Sequence, residues 1–250
     1  MARAWRSAHR QCKKQSLAVL ALLRLLSSCD HADALPGRQV TRTLLTDLSI
    51  TVSSLVMARP REFDRELALA RATGVFWAQG YCSTSTEELL AAMGIGRQSL
   101  YNAFGDKRAL YLEALERYQR ATTSGHLQRL KDPVSPVTGI EALLLGLIAE
   151  DANQRAMGCM GVGAVSEFGA GDPTLAELRA RVEPVLYSSL VKRLREGQAQ
   201  GEIDPAMNAE DAARFIQVTM TGLQLAARSG ASADALRSLA RFAVDRLKMR

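Results

Sequence analysis

The stretch from Thr84 to Lys107, TSTEELLAAMGIGRQSLYNAFGDK, leaves the backbone few options. Gly94, Gly96 and Gly105 cut it into two short segments, and each repeats its apolar residues at spacings of three and four, the period of a helix. Thr84 precedes Glu87 by three residues, a capping-box pattern that predicts a helix start near Thr84. Leu89, Ala92 and Met93 form its inward face, and Gly94 is the residue type that ends a helix in a left-handed conformation. Ile95 anchors the turn, and Gly96 is a second-rank N-cap. The second helix, Arg97 to about Phe104, turns Leu100, Ala103 and Phe104 inward. Its remaining surface is Arg97, Gln98, Ser99, Tyr101 and Asn102, polar and free of acids.

Such a face suits a groove lined by phosphates and base edges. Arg and Gln pair bidentately with guanine and adenine, and hydroxyls hold phosphate oxygens. Gly105 and Asp106 then end one helix and cap another that opens with Lys107 and Arg108. Two cations at a helix N-terminus oppose the macrodipole, and a bound phosphate would relieve the conflict. The blander reading lets Glu113 and solvent screen the charge. Two helices joined by a tight turn also occur as plain packing, so the residues alone leave both readings open.

The run GYCSTSTEELLAAMGIGRQSLYNAFGDKRAL resembles the TetR family of bacterial transcriptional repressors, in its glycine-aromatic lead-in, Thr-rich helix start, glycine-hydrophobic turn, Leu-Tyr pair, Phe and closing Lys. The resemblance spans about Arg61 to Tyr118. It implies an all-α fold, with a three-helix helix-turn-helix DNA-binding domain followed by a helical ligand-binding and dimerisation domain. By the same resemblance Thr84, Tyr101 and Lys107 would hold backbone phosphates, with Thr86 beside them at the helix start. Arg97, Gln98, Ser99 and Asn102 would face the major groove. Family members often carry Ser or Thr where Gly96 stands, so a hydroxyl is missing here.

Aromatic content of 5% and a dominance of Leu and Ala fit helix-on-helix packing. The formal charge of +6 is uneven: residues 1–56 carry a net +5, 57–131 a net +3 and 132–250 a net −2. Cys12, Cys29, Cys82 and Cys159 have no metal-ligand spacing, and His9, His31 and His126 do not cluster with them. No metal or cofactor is expected. Scattered thiols fit a reducing cytosol. No acid-base pair, nucleophile with a His partner or phosphate loop argues for an enzyme.

Residues 1–56 pair basic residues with the apolar run LAVLALLRLL, a superficial secretory signal that is too short to span a bilayer. Met57-Ala58-Arg59-Pro60-Arg61 reads as a fresh start with a basic arm. The expected division is a non-native or disordered extension over 1–56, the DNA-binding domain over 57–106 and the ligand-binding and dimerisation domain over 107–250. A real flexible extension and a targeting segment are the other readings of 1–56. Arg59 and Arg61 would reach a minor groove or phosphates, or else fray in solvent.

Asp64 caps a bracing helix with Ala68, Leu69, Ala72, Val75 and Phe76 inward, ended by Gly80. A long helix follows from Asp106 to about Leu130, a second over Pro136 to Gln154, and another from Asp172-Pro173 to about Gln200 with a kink or break expected near Arg181 because of Pro184. Asp204-Pro205 or Asn208 opens the next, and Ser232 caps the last. GCMGVGAVSEFGAG, from Gly158, lacks the preceding strand that a dinucleotide loop needs, so its small residues read as close helix packing. Cys159 is either a small packed side chain or, as in some electrophile-sensing relatives of the resembled family, a thiol at a helix start.

Tyr118, Met157, Cys159, Met160, Phe168, Tyr187 and Phe215 are candidates to line a ligand pocket. Surplus apolar residues on the last two helices, Met220, Leu223, Leu236, Leu239 and Phe242, point to a second copy, whose two-fold axis would match a palindromic operator. The resulting expectation is a cytoplasmic homodimer with no membrane contact. It binds double-stranded operator DNA and is released by a small-molecule inducer, or through Cys159. The alternative of another class is a helical protein-protein adaptor without DNA binding.

Overall fold

The computed structural model describes residues 63–169 and 171–248, whose regular structure is helical, with one antiparallel bridge between Ile203 and Lys248. The expected residues 1–56, and Arg59 and Arg61, lie outside them. In order, the helices are α1 (Arg65–Gln79), α2 (Thr86–Met93), α3 (Arg97–Phe104), α4 (Lys107–Lys131), α5 (Pro136–Leu145), α6 (Ala152–Met157), α7 (Met160–Phe168), α8 (Pro173–Ala199), α9 (Ala209–Arg228) and α10 (Ala233–Asp245).

Side-chain caps set most of these boundaries. Asp64, Asp106, Asp172, Asn208 and Ser232 each accept a backbone N–H from the first turn of the helix that follows, each cap stabilising its helix by about 1 kcal/mol. The expected helix from Pro136 to Gln154 is corrected. It stops at Leu145, the chain tightens through Leu147 N–H to Leu144 O (3.2 Å) and Ile148 N–H to Leu145 O (3.0 Å), and Asp151 starts α6 by accepting the Gln154 N–H at 2.7 Å. A cap inside an apparently periodic stretch broke it in two. Of the kink or break expected near Arg181, the break does not occur: α8 runs through Pro184.

Two apolar cores form. Leu130, Ile140, Leu143, Leu144, Leu190, Leu194, Ile216 and Leu236 are among the residues of one, built from α5, α8, α9 and α10 with the end of α4. The other joins Leu69 and Phe76 of α1, Leu89 of α2, Leu100 and Phe104 of α3, and Leu110 and Tyr111 of α4. It continues into Met160 and Ala164 of α7 and Leu175 and Leu178 of α8. The three-helix unit therefore shares its core with segments that follow some fifty residues later.

His126, on the inner side of α4, has its pKa lowered to about 4, chiefly by burial and then by the charge of Arg129, and its Nδ1 has no hydrogen-bond partner among the described residues. The folded chain thus favours the neutral imidazole. Its contribution is present above the unfolded value of about 6.5 and is lost as pH falls from there toward 4. We expect the urea midpoint of the wild type to drop between pH 7.5 and 5, and His126→Leu to lose less over that interval. Equal losses would remove His126 as the source.

Candidate nucleic-acid interface

Gly94 takes φ 69°, ψ 31°, the left-handed conformation that lets the chain turn sharply out of α2. Gly96 opens α3 with no side-chain cap, as its lack of a hydroxyl requires. Leu100 and Phe104 are buried beneath α3, while Arg97, Gln98, Tyr101 and Asn102 are exposed and Ser99 is half-buried. The split expected from the sequence holds at these positions except Ser99, which with Ala103 is half-buried at the border of the two sides. Arg65 of α1 holds the far end of α3, donating to the Ala103 carbonyl (3.2 Å), lying 4.5 Å over the Phe104 ring and pairing with both oxygens of Glu113 (2.7 and 2.8 Å). Glu113 therefore serves Arg65 rather than screening Lys107 and Arg108.

The capping box is displaced by one residue from its expected place. Ser85 Oγ accepts the Glu88 N–H (3.1 Å) and Glu88 accepts the Ser85 N–H (2.7 Å). Thr84 is 2% exposed, and its hydroxyl donates to the Gly80 carbonyl at 2.6 Å. That corrects both roles expected of Thr84, since a buried hydroxyl already donating inward is not on the surface where a phosphate would lie. Thr86 is the first residue of α2 and half-buried.

Two side-chain contacts lie on the face, the first between helices and the second at the i,i+4 spacing of a single helix. Glu87 reaches across from α2 to pair with Arg97, and Gln98 Nε2 donates to Asn102 Oδ1 at 2.9 Å. The first is an exposed pair, worth no more than about 1 kcal/mol, so Arg97 remains available to another anion. Lys107 Nζ lies 4.3 Å above the Tyr81 ring, and burial lowers its pKa. Arg108 turns inward instead, to Asp172 at the start of α8 and over the Phe168 ring at 4.8 Å. The expected phosphate partner of Arg108 is thus replaced by an internal carboxylate, while Lys107 keeps its half-exposed place beside α3.

Behind this unit lies an aromatic cluster in which Tyr81, Tyr111 and Phe168 meet with centroids 5.0 to 5.8 Å apart. Trp77 meets Tyr118 edge-on at 5.1 Å and donates from Nε1 to the Gly158 carbonyl at 2.9 Å. Trp77 and Tyr81 are thus packing residues. Arg65 and Glu167 carry no signal in the sequence, because no local pattern announces their long-range partners.

The seven pocket candidates do not converge. Cys159 and Met160 border a cavity of about 110 Å³ with Trp77, Glu167, Gln224 and Arg228. Tyr118 adjoins Cys159, and burial, then the thiol, push its phenol pKa up. Phe168 belongs to the aromatic cluster. Tyr187 lines a separate open groove of about 600 Å³ with Lys192 and Glu196. Phe215 points outward, and Met157, at the end of the unforeseen α6, is half-buried with its carbonyl accepting from Arg228 at 3.0 Å. Helical phase across the broken segment is what sequence spacing could not supply.

The interface candidates divide as well. Met220, Leu223 and Leu236 are corrected to core, because they lie on the inner stripes of α9 and α10. Leu239 and Phe242 are exposed, at 54% and 59%, and are joined by Phe215, Leu225 and Val218, the last 71% exposed. No group of His, Cys, Asp and Glu that could hold a metal occurs among the described residues, and none of their helices is long and apolar enough to cross a membrane.

Residues 68–114 match the bacterial regulatory proteins of the tetR family, and residues 149–243 match the tetracyclin repressor-like C-terminal domain. YezE, an HTH-type transcriptional regulator of Bacillus subtilis (strain 168), is 34% identical over 185 residues, 72% of this chain and 94% of its own. The HTH-type transcriptional repressor ComR of Escherichia coli (strain K12) is 31% identical, over 73% of this chain and 88% of its own. Among solved structures, a cysteine mutant of the TetR family regulator CifR complexed with a 26-bp operator has a TM-score of 0.63 at 29% identity. It covers 76% of this chain and 99% of that one. With both parts of the fold and the helix-turn-helix geometry matched, the chain belongs to the TetR family of transcriptional regulators.

Proposed function

We propose that this protein is a homodimeric repressor that reads a palindromic operator through α3 and is released by a small molecule acting on the helices behind it. The observation that carries the reading is the acid-free outward face of α3, held rigid from below by Leu100 and Phe104 and at its end by Arg65. Gln98 and Asn102 are placed for base edges, Tyr101 and Lys107 for phosphates, and Arg97 for either once it leaves Glu87. Ser99 and Thr86, half-buried, are secondary contacts, and Arg59 and Arg61 would extend the contact from the N-terminal side. ComR, a named repressor, and CifR, solved on operator DNA, support the same assignment.

The exposed apolar stripe of α9 and α10 gives the dimer its surface. Five large apolar side chains on adjoining helices, Phe215, Val218, Leu225, Leu239 and Phe242, are costly to leave in water, and a second copy covers them with its own. Two α3 helices related by a two-fold axis then meet successive major grooves.

A second reading concerns the signal. Cys159 sits at the N-cap of α7, borders the cavity and adjoins the Tyr118 hydroxyl. Alkylation or oxidation of that thiol would add volume where the cavity holds only about 110 Å³, and so displace α7. Sensing by a thiol and sensing by a bound molecule use the same helix.

Fluorescence anisotropy over a salt series tests the core of the proposal, with the full chain and residues 57–250 on duplexes from the region upstream of the protein's own coding sequence against scrambled DNA. We expect specific binding by both that weakens with salt; no specific binding by either would favour the adaptor reading. Within that assay Tyr101→Ala or Lys107→Ala weakens binding to every sequence. Gln98→Ala or Asn102→Ala instead relaxes preference, by about 1–3 kcal/mol, and a uniform response from all four would refute this sorting. For assembly, Val218→Glu combined with Phe242→Glu yields a monomer in sedimentation equilibrium with lost operator affinity, whereas a persistent dimer would move the interface elsewhere. For the signal, Cys159→Ser binds DNA as the wild type does and resists release by N-ethylmaleimide. Release undiminished in that variant would exclude the thiol.

A further inference from the structure

The turn between α1 and α2 relies on a distant residue for its backbone hydrogen bonds. Gly80 leaves α1 at φ 83°, ψ 175°, a conformation open in practice to glycine alone. The next two N–H groups, of Tyr81 and Cys82, both donate to the Glu167 carboxylate near the end of α7, at 3.0 and 3.3 Å. The approach is so close that a Cβ on residue 80 would overlap that carboxylate. Gly80 is required for its torsion, and a side chain there would also push the Glu167 carboxylate off the two N–H groups it accepts.

From this turn the geometry passes on residue by residue. The Gly80 carbonyl receives the Thr84 hydroxyl at 2.6 Å, Ser85 caps α2 with Glu88, and α2 leads through Gly94 to α3. On the same turn the Tyr81 ring carries the Lys107 ammonium, 4.3 Å above its centroid. At its other end α7 is preceded by Gly158, whose carbonyl takes the Trp77 indole N–H. The helix-turn-helix unit is therefore tied to the two ends of α7, by one polar bond from the last turn of α1 to the residue before the Cys159 cap and by one carboxylate at the exit of α1.

We infer that Glu167 is a positioning residue for DNA reading: its carboxylate holds the α1–α2 turn and through it sets the angle at which α3 meets a duplex. This rests on the assignment of α3 as the DNA-contacting helix. Glu167 touches neither base nor phosphate. Its effect is carried by two backbone N–H groups that would otherwise turn to water and let the start of α2 drift.

The test uses the full chain as wild type, Glu167→Ala and Glu167→Gln, on a duplex that the wild type binds specifically. Three quantities are read: operator Kd, hydrogen exchange at the Tyr81 and Cys82 amides, and thermal midpoint. The Ala variant is expected to bind about tenfold more weakly, from loss of charge-assisted hydrogen bonds, and to exchange faster at those two amides. The Gln variant keeps a carbonyl acceptor and recovers most of both. Wild-type affinity in Glu167→Ala, or unchanged exchange at the two amides, would overturn the inference alone. So would equal failure of both variants in step with a fall in thermal midpoint, which marks a general structural role. Absence of binding by the wild type on every duplex would overturn the DNA assignment and this inference with it.

Discussion

A helix of eight residues does not stand by itself in water, because closing its first turn costs more than so few hydrogen bonds return. The helix α3 has that length and lacks even an N-cap side chain. Everything around it is arranged to make up the deficit. Leu100 and Phe104 bury one side, Arg65 grips the Ala103 carbonyl and lies on the Phe104 ring, and Gly94 supplies the turn that brings α2 alongside. A face left free for recognition is affordable only because the opposite face is so thoroughly held.

The same dependence explains why the first core does not end with the three-helix unit. Met160, Ala164, Leu175 and Leu178 complete it from α7 and α8, and polar ties follow the apolar ones. Arg108 meets Asp172 while that carboxylate also caps α8, so one side chain both starts a helix and anchors it to α4. The aromatic contacts among Tyr81, Tyr111 and Phe168 add about 0.5–1.5 kcal/mol each beyond their burial. A small domain of this size gains stability from neighbours it could not obtain alone.

What could be read in advance was whatever is local in sequence. The helix types, the inward and outward residues of α3, the Gly94 stop, and the caps at Asp64, Asp106 and Ser232 depend on neighbours within four positions. Thr84 shows the limit of such reading: it and Ser85 both stand three residues before a glutamate, and only the Gly80 carbonyl, brought near by a positive φ, decides which hydroxyl is free to cap. Met220, Leu223 and Leu236 show another. On a helix apolar on two sides, the side that meets its own core cannot be told from the side that meets a partner until the crossing helices are in place. Partners eighty or more residues apart, as for Trp77, leave no trace in spacing at all.

The pairing of Arg97 with Glu87 has a consequence for how such a face meets a polyanion. To seat on a phosphate, a guanidinium already paired within the protein must first give up its carboxylate, so its net gain there is reduced by what that exposed pair is worth, about 1 kcal/mol at most. A guanine edge, offering two acceptors in the plane of the guanidinium, has more to give it than a lone phosphate oxygen. On the proposed reading of α3, Glu87 would act as a built-in competitor, one that any stretch of backbone must displace but that the right base displaces on better terms.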